Sequence, residues 1–128
     1  MRLILLTLAV GALTACNPAA TVPEAEKAAI DCLSAKTVVE ITDAIRDGAA
    51  AGVDPSELQS VRPDKIAAAT ATLNATYSGA VDAAYLENDI NRRLEKIQDA
   101  LNNRDPNSDA VQIMNDTLEL GRSCTFGG

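Results

Sequence analysis

The chain has 128 residues, with 11 basic against 18 acidic side chains, a net charge of −7, and neither histidine nor tryptophan. That acidic balance speaks against nucleic acid, which rewards clusters of Lys and Arg, and against an electrostatic grip on anionic lipid. With Tyr77, Tyr85 and Phe126 as the only aromatics, stacking platforms for sugars or bases are equally disfavoured.

Met1-Arg2 gives a short positive start, Leu3 to Leu13 form an apolar run, and small residues lead to Cys16. A span needs about 20 apolar residues, so this run has the order of a secretory signal and not of a membrane helix. Leu13-Thr14-Ala15-Cys16 resembles the lipobox of bacterial lipoproteins, in which a small residue precedes the cysteine that becomes residue one after cleavage. The resemblance covers only the first 16 residues. It implies that residues 1–15 are a signal peptide and that Cys16 carries a thioether-linked diacylglycerol and an acylated amino group. Two chains suffice for stable anchoring, because each buried methylene contributes about 0.8 kcal/mol. In the proteins it resembles, Asp after the cysteine tends to retain the product at the inner membrane. Asn17 therefore points to the periplasmic side of the outer membrane.

Loss of residues 1–15 would remove only Arg2 among the charges, leaving 10 basic and 18 acidic residues, a net charge of −8. Residues 16–23 are expected to be the anchor and a short tether, whose seven residues after Cys16 reach roughly 25 Å. Residues 24–128 are expected to be one helical domain, long enough to bury its own core.

Thr21 and Glu24 are spaced as a capping box for a first helix beginning near Pro23. Ile30, Leu33, Thr37, Ile41, Ala44 and Ile45 share one face of it, and Ala28, Cys32, Ala35 and Val39 a second stripe nearly opposite. Such a helix is covered from two directions. Gly48 to Gly52 should end it. Asp54-Pro55-Ser56-Glu57 reads as a cap and first turn, Arg62-Pro63 as a break, and Asp64 as the start of a helix with Ile66, Thr70, Leu73, Tyr77, Val81 and Ala84 on one face. Leu86, Ile90, Leu94, Ile97 and Leu101 form a stripe rotated well over 90° from that face, which calls for a long helix that changes its packing partner there or, the preferred reading, a break near Leu86–Asp89. Arg92, Arg93 and Lys96, interleaved with Glu95 and Asp99, read as a solvated face. Asp105 and Pro106 suit the start of a last helix, with Val111, Met114, Leu118 and Gly121 facing inward. The expected fold class is all-α, a small bundle of about four main helices.

Cys32 and Cys124 remain after Cys16 is assigned to lipid, and an exported pair is most simply a disulfide. Asp105, Asn107, Asp109 and Asp116 follow part of a calcium-loop spacing, but Ala110 stands where the turn needs glycine and Asp116 where a longer bidentate Glu is expected, so helix capping is the preferred reading. Without histidine the usual general base and most zinc sites are missing, and no glycine-rich phosphate loop is present. No catalytic residue, metal ligand or cofactor site is identified. The expectation is a non-enzymatic module, anchored through acyl chains on Cys16, that binds or supports another envelope protein. A carrier of a small molecule or divalent cation is the alternative.

Overall fold

The computed structural model describes residues 22–77 and 80–126. Residues 1–15, Cys16, Asn17, Thr21 and Gly127-Gly128 lie outside them, as does the side chain of Val81. Five helices follow in order: α1 Glu24–Ala50, α2 Pro55–Leu58, α3 Val61–Asn74, α4 Ala80–Asn102 and α5 Asp109–Ser123. No strand occurs among the described residues. The chain is an all-α bundle of four main helices, and Cys32 is joined to Cys124.

α1 and α4 form the central pair and run parallel, with Asp31 beside Tyr85 near one end and Ile41 beside Leu94 nearer the other. α3 packs on one side of this pair and α5 on the other, both antiparallel to it. α1 thus needs apolar residues on two sides, as its double stripe predicts. Ile30, Leu33, Val38 and Ile41 from α1 meet Leu73 from α3 and Leu86, Ile90 and Ile97 from α4 in a single core. Each such side chain contributes about 1.5–3 kcal/mol when fully buried. Thr37 joins this interior because its hydroxyl donates to the Leu33 carbonyl at 2.7 Å, leaving no unsatisfied oxygen.

Small residues set the α1–α5 spacing. A Cβ on Gly121 would stand 2.7 Å from the Ala35 carbonyl oxygen and 2.8 Å from a Val39 methyl, so only glycine permits the approach. At the far end of α1 the chain turns through Gly52, whose φ of 81° is a left-handed conformation that glycine adopts without strain.

Several element boundaries differ from those expected. Val22 is buried in the core, so the packing extends at least two residues before Glu24. Pro23 occupies the N-cap position of α1, which has no side-chain cap. Arg62-Pro63 does not interrupt a helix: Pro63 lies in the first turn of α3, where its missing N–H would have had no helical partner. α4 is continuous through Leu86–Asp89, and the break falls instead after Asn74. α5 starts at Asp109, capped by the Ser108 hydroxyl accepting from the Val111 N–H at 3.2 Å. Asp105 closes a local turn, accepting from the Asn107 N–H at 3.0 Å.

Candidate functional site

The densest polar grouping among the described residues lies where α1, α4 and α5 meet. α4 supplies Asp89 and Arg93, one turn apart and both buried, and the more exposed Arg92. Arg93 Nε donates to Asp89 Oδ2 at 2.7 Å, and an Arg92 Nη donates to Oδ1 at 2.7 Å, so each carboxylate oxygen has its own guanidinium. Arg93 then reaches across to α5, where an Nη donates to the Thr117 hydroxyl at 2.9 Å. From α1, Ser34 is fully buried against the same cluster. Its hydroxyl lies near enough to Asp89 to favour the charged carboxylate but meets no partner at hydrogen-bond geometry. Beside these, the Tyr85 hydroxyl donates to Asp31 at 3.2 Å, tying α4 back to α1.

The two carboxylates titrate in opposite senses. Burial alone would raise Asp89, but the hydrogen bonds from Arg93 and Arg92 outweigh it and hold the carboxyl below the ordinary value of 3.8. Asp31 is pushed above 3.8, first by burial and then by the negative charge of Asp89, with the Tyr85 hydrogen bond only partly offsetting this. Burial, followed by the charge of Asp31, raises Tyr85 above 10.0. Two carboxylates and two guanidiniums make the cluster neutral as a whole.

A perturbed acid in a cleft would be a candidate for proton transfer. The adjacent trough, about 510 Å³, is lined by Arg92, Arg93, Ile113, Asp116, Glu119, Leu120 and Ser123. Asp31 and Tyr85 are not on its walls. Arg92 and Arg93 are, but both are already committed to Asp89. The ion pairs lie within α4, and the arrangement ties three helices together through Arg93 to Thr117 of α5 and Tyr85 to Asp31 of α1.

The residues singled out from sequence fall into separate places. Cys32 and Cys124 are bonded, with their Cα atoms 5.9 Å apart, and clasp α1 to the end of α5. Lys36, one turn further along α1, donates to the Gly121 carbonyl at 3.2 Å and reinforces the same seam. Asp105 and Asp109 do not converge on one point: Asp105 holds its turn and Asp109 lies 3.4 Å from Lys96. Among the described residues, no three His, Cys, Asp or Glu side chains gather as a metal would require. Arg93 is the main correction, because it is buried and paired and does not belong to a solvated face. Its sequence position carried the signal: it lies three residues after Ile90 and four before Ile97, on the buried stripe itself. Thr117 likewise lies three residues after Met114 and four before Gly121.

Compared with protein-family models, with curated proteins and with solved structures, the chain matches none of them.

Proposed function

We propose that the protein is a lipid-anchored envelope lipoprotein whose helical domain binds or supports another envelope protein and catalyses no reaction. The observation that carries this reading is Leu13-Thr14-Ala15-Cys16 placed after a positive start and an apolar run. The burial of Val22 supports a close hold on the membrane: at most five residues separate Cys16 from the packed domain, a maximum reach of about 18 Å. A domain so closely held meets partners at the membrane surface. The acidic charge supports an acyl anchor over a basic patch as the means of attachment.

Expression of the full chain in a two-membrane bacterium, fed an alkyne fatty acid, tests the anchor. Label should appear on the protein, co-fractionate with outer membrane, and vanish in Cys16→Ser. An unlabelled protein released in the soluble fraction would overturn the anchor. Crosslinking in intact cells, followed by recovery of a stoichiometric envelope protein, tests the binding role, and repeated recovery of the chain without one would count decisively against it.

A further inference from the structure

The packed chain continues past α5. Cys124 is extended, with φ −84° and ψ 160°, and its N–H donates to the Leu120 carbonyl at 2.9 Å, closing the helix. Its side chain is bonded to Cys32 of α1. Thr125 and Phe126 then line a trough of about 340 Å³ between α1 and α3, with Leu33 and Thr37 on one wall and Ala69 and Thr72 on the other. Phe126, the only phenylalanine of the chain, is half-buried and packs against the main core. α3 and α5 lie on opposite sides of the α1–α4 pair, so these two residues carry the end of α5 over to the α3 flank.

We infer that residues 124–126 are a strap latched by the Cys32–Cys124 disulfide, and that a dithiol reductant opens the latch and uncovers the α3 flank. Among the described residues neither Thr125 nor Phe126 makes a hydrogen bond, so the aromatic contact and the covalent link hold the strap in place. The link keeps Phe126 within roughly 7 Å of chain from Cys124, which holds its effective concentration at the trough high. With the bond open, the next anchor is Gly121 against Ala35, and the residues between belong to a helix end, which frays. α5 itself stays seated through Gly121 and through Thr117, which still accepts from Arg93. α3 loses the cover over Ala69, one of the two residues it buries. The two sulfurs differ in access, since Cys32 is 5% exposed and Cys124 is half-buried. A thiolate of the dithiol attacks Cys124 Sγ, forms a mixed disulfide and expels Cys32 as a thiolate, which takes up a proton. The second thiolate of the dithiol then closes its own disulfide and releases Cys124, so two electrons pass to the protein and the dithiol is oxidised.

A single phenylalanine makes the test direct. The full chain, grown on fluorophenylalanine and held in mild detergent, should give one fluorine resonance, shifted from that of the free amino acid. Dithiothreitol should move it most of the way to the free value with the helical circular dichroism retained, and reoxidation should move it back. Phe126→Ala with the disulfide intact should speed hydrogen exchange in α3 about tenfold and leave α5 unchanged. A resonance that stays put after mass spectrometry shows both thiols free would overturn the proposal. So would loss of the helical signal together with the shift, because the bond would then staple the whole bundle and not latch a strap. Equal acceleration of α3 and α5 in Phe126→Ala, or none in α3, would overturn it as well.

Discussion

On one side of the α1–α4 pair, α5 is held by a disulfide, by a glycine that brings backbones together, and by a buried guanidinium reaching Thr117. On the other side α3 buries only Ala69 and Leu73, and its polar links, Lys65 to Glu40 and Arg62 to Asn91, lie at the surface. Exposed pairs contribute about 0–1 kcal/mol, whereas the features at α5 belong to classes worth several times more. The two flanks use the same kind of helix at different strengths. α3 is therefore the side expected to open first under native conditions.

The strongest way to break that asymmetry is to cut the clasp. Replacing Cys32 and Cys124 together by alanine removes a link across 92 residues, and the chain-entropy model gives about 4.6 kcal/mol, an upper value. Denaturant unfolding should show most of this, and α5 should lose its protection in hydrogen exchange. A loss below about 1 kcal/mol would mean the flanks are alike.

Arg93→Met comes next. It strands Asp89 with Arg92 alone in a buried site, and a cost of about 3 kcal/mol is expected at neutral pH. Pairing it with Asp89→Leu should recover most of the loss, since no charge is then left buried. If the double variant is as unstable as the single one, the ion pair stabilises the bundle in its own right.

Leu73→Ala should cost about 2–3 kcal/mol, because Leu73 is the one large fully buried side chain of α3. Hydrogen exchange should speed up in α3 well before α5, and equal acceleration on both flanks would show that they unfold as one unit.

The smallest effect is expected at Asp31, and acid should act on Asp31 and Asp89 in opposite directions. Asp31, with its folded pKa raised above 3.8, contributes stability below 3.8 that is lost as pH rises through the raised value. Asp31→Asn should therefore stabilise the protein slightly at pH 7, with the gain disappearing below about pH 3.8. Asp89, held below 3.8, contributes stability above 3.8 that is lost as pH falls through the lowered value. Asp89→Asn should be destabilising at pH 7 and less so in strong acid. Melting curves across pH 2–7 separate the two.

Much of this asymmetry could be read from the chain, though not all for the right reason. The second stripe of α1, with Cys32, Ala35 and Val39, correctly anticipated a helix lying against that side. The break between α3 and α4 was misplaced because the rotation of the apolar stripe was read at its far edge. The Asn74 end and the Ser78-Gly79 dipeptide, a common turn signal, lay upstream of it. Pro63 marked the separation of the one-turn α2 from α3, but it lies in the first turn of α3 and not before it, because proline is tolerated there. Arg93 was assigned to solvent by its chemistry although its spacing placed it inside. When residue type and periodicity disagree, a buried partner such as Asp89 decides which of them prevails, and the partner's burial is not written in the local sequence.

The sequence by itself determined the helical class, the pairing of Cys32 with Cys124, and a lipoprotein-like start, because composition, 3.6-residue periodicity and short motifs are local properties of a chain. Only the tertiary structure decided that α1 and α4 run parallel at the centre and that α5 is clasped while α3 is not. It also decided that Arg93 is buried and that the chain end reaches across α1 to the α3 flank. Those outcomes depend on which helices lie side by side and how far each extends past its neighbour, which distances along the chain do not fix.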